Sequence, residues 1–313
     1  MEPADFSTDL GSIEQTTRRS NHRREPGSRQ ECGQAVGSLQ DSYHGAAHDY
    51  ERGSPHLRHA LLRSEIVGRI RNLIAEQFAR TGRCRVLEIG AGHGSFTDHI
   101  AATGAELTVT EMSRSSLEVL RLRLASNPRV RFVYDPDGEA VFAEAAVYDL
   151  VLCVSVLHHI PDYLANIDRL VQQTAEGGSF ASFQDPLWYP RRSRVNMTLD
   201  RGAYYVWRIR QRNLLQGLAT RIRRARHVYD VTNVADMVEY HVVRSGVDDS
   251  RICDLLSLSF ETVEQWSYWS SQSPMCQALG ASLGLKNTFG MIAQVRTPKT
   301  SIRPKSSLGK GPQ

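Results

Sequence analysis

From residue 84 onward, short apolar runs alternate with longer segments whose apolar residues recur every three or four positions. The runs CRVLEIG (84–90), AELTVTE (105–111), VRFVYD (130–135), YDLVLCVSVL (148–157) and SFASFQD (179–185) have the length and β-branched content of buried strands. Between them lie helical patterns. One opens at Ser54-Pro55, carries Leu62, Ile66, Ile70, Leu73 and Phe78 on one face, and ends near Thr81-Gly82. One follows the glycine turn through Phe96 and Ile100. A third is capped by Ser113, carries Leu117, Leu120 and Leu124, and stops at Asn127-Pro128. A fourth opens at Pro161-Asp162, carries Leu164, Ile167, Leu170 and Val171, and closes at Gly177-Gly178. Strands alternating with helices, each strand apolar on both faces, predict an α/β fold with a doubly wound, mostly parallel sheet. The rhythm breaks after residue 186, where a largely helical stretch of about 60 residues intervenes. FETVEQWSYW (260–269) and TFGMIAQVR (288–296) then predict a final antiparallel pair at the sheet edge.

Composition adjusts this picture at the ends. The chain has 313 residues, 41% of them hydrophobic, enough for one large domain with an insertion. Residues 1–50 and 298–313 are too poor in large apolar side chains to offset chain entropy and are expected to be disordered tails. A core over 54–186, an inserted helical cap over 187–246 and a return to the sheet over 247–297 complete the expected organisation. The first residues show no apolar signal region, and no apolar run of membrane-spanning length occurs. Five cysteines without metal spacing fit reduced thiols in a cytoplasm, and no metal site is expected. The 38 basic residues comprise four lysines and 34 arginines, the bias of a GC-rich bacterial genome. A net charge of only +4 speaks against nucleic acid as the main partner of the whole chain.

The chemistry concentrates in VLEIGAGHGSFT (86–97). Dinucleotide sites use G-x-G-x-x-G, so that a pyrophosphate rests on the helix N-terminus. Here the third glycine arrives one residue early, and Ser95 stands at the usual glycine position. S-adenosylmethionine has no pyrophosphate; its zwitterionic methionine end needs close backbone approach, N–H donors for the carboxylate and acceptors for the amine. Glu111, at the end of the second strand, can accept both ribose hydroxyls of an adenosine.

VLEIGAGHGSF, Glu111, YDLVLCVSVLHHIPD (148–162) and EGGSFASFQD (176–185), in this order, resemble the class I S-adenosylmethionine-dependent methyltransferases, in their small-molecule branch. The resemblance covers about 55–186 and 247–297. It implies a Rossmann-like seven-stranded sheet whose last strand is antiparallel, with S-adenosylmethionine as donor and S-adenosylhomocysteine as product. It implies that Glu88, Gly90, Ala91, Gly92 and Gly94 line the methionine end, and that Glu111, followed by Met112, binds ribose. Asp135 or Asp137, with Gly138, would meet the adenine amine. Cys153, Val154 and Ser155 would lie beneath the sulfonium.

The acceptor is marked less clearly. The fourth-strand exit lacks the Asn/Asp-Pro-Pro-aromatic run of enzymes acting on base amines, and Cys153 lacks the preceding proline of RNA cytosine-C5 enzymes, so a small molecule fits best. Eleven arginines and a single acid, Asp200, lie between Arg191 and Arg226. On a helical wheel Trp207, Leu214, Leu218 and Ile222 share a face, with Arg201, Arg208 and Arg212 beside it. Such a row can hold an acceptor carboxylate or phosphate, touch nucleic-acid phosphates, or form a solvated face. Trp188, Tyr189, Tyr204 and Tyr205 offer an aromatic lining. A hydroxyl acceptor needs a base, whereas an amine needs only proton loss near neutral pH. His241, on the apolar face of a second cap helix, is the first candidate base; His158, His159 and Asp185 at the strand ends are the others. A small-molecule methyltransferase of specialised metabolism, with a homodimer compatible, is the reading this supports. An RNA or protein methyltransferase, or a protein retaining the donor without transferring methyl, are the rivals.

Overall fold

The computed structural model describes residues 53–210 and 245–297. Both terminal tails and most of the expected second half of the cap, His241 and Arg212 included, lie outside the described residues. The elements are α1 (Pro55–Arg58), α2 (Ala60–Thr81), β1 (Arg85–Ile89), α3 (Thr97–Ala101), β2 (Glu106–Glu111), α4 (Arg114–Leu124), β3 (Val130–Tyr134), β4 (Tyr148–Val154), α5 (Tyr163–Gln172), β5 (Thr174–Pro186), α6 (Arg194–Arg210), α7 (Asp249–Ser257), β6 (Phe260–Tyr268), α8 (Pro274–Ser282) and β7 (Thr288–Arg296). The seven strands form one sheet in the order β3-β2-β1-β4-β5-β7-β6. All pairs from β3 to β5 are parallel, and β7 runs antiparallel to both β5 and β6. The expected doubly wound sheet with a reversed last strand is therefore present. The expected antiparallel pair closes the sheet edge, with β6 outermost and β7 between β5 and β6.

Side-chain alternation divides the core between the two faces of the sheet. Val86, Leu107, Val109, Leu150, Leu152, Ala181 and Phe183 pack with Ile66, Ile70 and Leu73 of α2, Ile100 of α3 and Leu117 and Leu120 of α4. Their strand neighbours Leu87, Val151, Cys153 and Phe180 turn to the other face, where Ile167, Leu170 and Val171 of α5 and Ile252 and Leu256 of α7 cover them. α4 and α5 begin as expected: Ser113 accepts from Ser116 N–H, and Asp162 accepts from Ala165 N–H. α2 ends on Gly82, whose left-handed φ of 72° lets its N–H reach Phe78 O at 2.8 Å.

Three expectations change. The first helix is broken at His59, and Ser54 caps α1 through its backbone carbonyl, not its hydroxyl. α5 ends at Gln172, and the glycines expected to close it lie inside β5. α7 and α8, unexpected from the pattern, join the sheet's last strands; α7 is capped by Asp248 and α8 opens on Pro274.

The chain leaves the sheet after β5 and returns at the same place. Leu187 bridges Val247 in parallel, Val247 N–H donates to Pro186 O at 3.0 Å, and Tyr189 N–H donates to Ser245 O at 2.7 Å. Gly246 makes the return possible: at φ 89° a Cβ would fall on Leu187 O. The Arg191 guanidinium ties the two ends together through Asp248, Asp249 and Ser250. α6 leans back on the start of β7: Asp200 receives Arg192 at 2.8 Å and Asn287 Nδ2 at 2.9 Å. Since Thr288 pairs with Pro186, this contact lies at the carboxyl edge of the parallel strands.

Candidate active site

The glycine turn is built at the carboxyl end of β1. Gly90, Gly92 and Gly94 take φ values of 65°, 57° and 86°, in the left-handed region that costs any other residue. A Cβ on Gly90 would press on Val156, and one on Gly94 would fall on Leu120 Cδ1. Gly90 and Ala91 N–H both donate to Thr110 O, Gly92 N–H donates to Glu111 Oε2 at 2.8 Å, and Gly94 N–H donates to Ala91 O. These four amides are thus engaged within the fold. What the turn offers a ligand is the space that missing side chains leave.

Glu111 holds this turn as well as facing the edge. Its second oxygen accepts Ser113 N–H at 2.8 Å, so one carboxylate fixes both the turn and the start of α4. Met112, half-buried, sits between. Glu88 is buried at the end of β1, and its Oε2 has no hydrogen-bond partner among the described residues. Burial pushes its pKa up to about 7; the Thr97 hydroxyl opposes this, and Asp98 and Glu111 add to it. A buried carboxyl with a spare oxygen suits the ammonium group of a bound methionine moiety.

The pH consequence has a definite sign. Folded Glu88 keeps its proton up to about pH 7, whereas the unfolded group loses it near the ordinary value of 4.5. The folded state therefore holds the extra proton in that window, and this contribution to stability is lost as pH rises from the lower to the upper value. A ligand bringing an ammonium group expels the proton. Affinity for S-adenosylhomocysteine, measured by calorimetry, is expected to rise about fivefold from pH 6 to pH 7 and to level off near pH 8. Glu88→Gln should flatten the dependence; an unchanged slope would remove Glu88 from the linkage.

Beyond β3, Asp135 is buried and accepts Ala140 N–H at 2.9 Å; burial raises its pKa, against the backbone donors of residues 139–141. Asp137 accepts Glu139 N–H, and Gly138 takes φ 75° between them. Asp135 thus folds the loop, while Asp137 is only partly buried. At the end of β4, Cys153 is fully buried and burial raises its thiol far above its ordinary range, against any nucleophilic role. Val154 is half-buried, and Ser155 leaves the strand at φ 59°, its N–H held by Phe183 O at 2.8 Å.

Next to this exit the structure joins two candidates that lie 27 residues apart. His158 Nδ1 is 2.8 Å from Asp185 Oδ1, which also accepts His158 N–H at 3.1 Å. Ser182 Oγ donates to Asp185 Oδ2 at 2.8 Å. Residues three apart on a regular strand face opposite ways; a bulge between Phe183 and Asp185, with Gln184 at φ 67°, turns Asp185 onto the face of Ser182. Tyr268 and Ser270 hold the bulge, by a hydrogen bond from Gln184 N–H to the Tyr268 hydroxyl at 3.0 Å and one from Gln184 Nε2 to Ser270 Oγ at 2.6 Å. A carboxylate only accepts, so Nδ1 carries the hydrogen and Nε2 presents a lone pair. His159 lies against His158 with ring centroids 4.0 Å apart.

The family of methyltransferase domains matches residues 87–180, from β1 into β5. Residues 87–180 thus carry a methyltransferase domain. Over 95 residues this domain is 34% identical to a ubiquinone biosynthesis O-methyltransferase from Aromatoleum aromaticum, covering 30% of this chain and 41% of that protein. The counterpart from Vibrio cholerae is 32% identical over 95 residues, 30% and 39% of the two chains. The methyltransferase domain thus spans about two fifths of the curated relatives it matches. The crystal structure of the N-methyltransferase NodS from Bradyrhizobium japonicum in complex with S-adenosylhomocysteine is similar at a TM-score of 0.47 and 17% identity, over 83% of this chain and 98% of that one. Among the described residues no helix is long and apolar enough to cross a membrane, and no group of three His, Cys, Asp or Glu is placed to hold a metal ion.

Two residues escaped the sequence reading. Ser182 and Gln184 carry no motif, and the bulge that makes them matter has no signature in the apolar run SFASFQD. Of the arginine-rich stretch, Arg191 and Arg192 are consumed in internal ion pairs, and Arg201 is exposed.

Proposed function

We propose that the protein transfers the methyl group of S-adenosylmethionine to a hydroxyl oxygen of a small molecule. The observation that carries this is the His158–Asp185 pair at the carboxyl edge, because a hydroxyl acceptor needs a base and an amine does not. The O-methyltransferases among the relatives support oxygen as the accepting atom. When bound, S-adenosylmethionine supplies a methyl carbon already activated on a sulfonium. Gly90, Ala91, Gly92 and Gly94 give its methionine end close approach to the backbone, Glu88 receives the ammonium group, and Glu111 meets the ribose hydroxyls. Asp137 and Gly138 stand where adenine would lie, and Val154 and Ser155 form the floor beside the reacting centre. His158 takes the acceptor's proton at Nε2 as the new bond forms, and Asp185 stabilises the resulting imidazolium. The segment that leaves the sheet after β5 is stitched at its base by Arg191, and the arginine-rich composition of 187–246 suits an acceptor that carries an anionic group.

The four free cysteines among the described residues suit a reducing cytoplasm, and specialised metabolism in a GC-rich bacterium remains our reading of the setting. The test uses the full chain, labelled donor and a panel of phenols, catechols, sugars and amines. Label is expected on oxygen of at least one hydroxyl compound. Transfer only to amines, RNA or protein would overturn the oxygen assignment, and donor binding without any transfer would favour a non-methylating role.

A further inference from the structure

We propose that α1 is a roof over the transfer site and that His56 binds the methyl acceptor through Nδ1, opposite the His158–Asp185 pair. This rests on the reading of that pair given above. His56 is 6% exposed, and its Nδ1 is buried without a hydrogen-bond partner among the described residues. Buried polar atoms are rarely left so, and one beside a reaction site is explained by a ligand that completes it. Two contacts fix its position. The ring stacks on Phe96 at 5.9 Å and 17°, just past the glycine turn. Three residues on, His59 Nε2 bonds Ser271 O at 2.7 Å, beyond the end of β6. α1 therefore bridges the carboxyl edge from the donor side to the far side of the sheet, and His158 lies near enough to act on the His56 charge.

The imidazole is kept neutral, first by burial and then by His158, which together lower its pKa to about 3. A neutral ring gives Nδ1 one hydrogen bond to complete, as donor or acceptor according to its tautomer. His59 anchors this segment on Ser271, next to the Ser270 that holds the bulge beside Asp185, and this placement assigns His56 to the acceptor.

His56→Phe keeps the stack on Phe96 and removes both nitrogens; His56→Asn keeps a polar group near Nδ1. With catechol, 4-hydroxybenzoate and glucose as acceptors, and the full chain, His56→Phe is expected to raise the acceptor KM about tenfold or more. S-adenosylhomocysteine affinity and the thermal midpoint should stay at or above wild type, and His56→Asn should recover part of the KM loss. Weakened S-adenosylhomocysteine binding would place His56 on the donor instead. An unchanged KM in an active His56→Phe protein, or a loss that tracks only a lowered thermal midpoint, would overturn the assignment. A wild type that transfers label to no hydroxyl compound would remove the underlying reading, and this one with it.

Discussion

The His158→Ala protein is expected to lose about two to four orders of magnitude in turnover while binding S-adenosylhomocysteine as tightly as the wild type. Asp185 is fully buried and spends one oxygen on the imidazole and the backbone of residue 158 and the other on Ser182, so it cannot itself reach a substrate proton without breaking this set. It fixes the ring so that Nε2 alone can act. Asp185→Asn tests that directly. An amide can still accept from Nδ1–H, but it no longer stabilises the imidazolium, and a fall in kcat of about a hundredfold or more is expected with the donor affinity intact. Loss of the acid limb of the pH profile in His158→Ala would mark a base. A rise in KM together with a lower thermal midpoint, with an unchanged pH profile, would instead make the pair a support for the loop after β4.

What the sequence disclosed and what it hid follow one rule. Features written in a single contiguous run were legible: the glycine turn, the five parallel strands, the β7 run, Ser113 and Asp162 as caps. Glu111 was legible because its spacing from the turn is set by one βα unit. The pairing of His158 with Asp185 was not, although both were named, because it depends on two adjacent parallel strands ending together and on a bulge that reverses one side chain. A period-two reading of SFASFQD puts Asp185 on the face opposite to Ser182, and the extra residue changes that parity. His56 was hidden for a similar reason. Helical periodicity from Leu62 onward ignores a four-residue segment before the break at His59, and a histidine there looks like a first-turn polar residue. α7 and α8 were hidden by brevity: nine residues each give too few turns for a face to stand out. The preferred base, His241, lies outside the described residues, and its part in catalysis is open to the same kinetic test.

The Glu111→Ala protein should bind S-adenosylhomocysteine about ten- to a hundredfold more weakly, the equivalent of roughly 1–3 kcal/mol of charged hydrogen bonding. Two effects contribute, and they can be separated. One is the ribose contact that the resemblance assigns to this residue. The other is visible in the fold: Glu111 holds Gly92 N–H and Ser113 N–H, each at 2.8 Å, and alanine would orphan both. The turn conformation itself has few alternatives, since Gly90, Gly92 and Gly94 all sit at positive φ and Leu120 already fills the space at Gly94. Loosening it should cost stability as well as affinity, visible as a lower thermal midpoint of the unliganded protein. A 2′,3′-dideoxy analogue of S-adenosylhomocysteine divides the two effects. If Glu111 binds ribose, the analogue binds the wild type more weakly but loses less on Glu111→Ala than the parent ligand does, since that contact is already gone. If both ligands lose the same factor, Glu111 acts only through the turn, and the carboxylate at the end of β2 is a structural clasp. Wild-type affinity in the variant would contradict both roles, because the glycine turn would then keep its shape and its ligand without the side chain that joins it to β2.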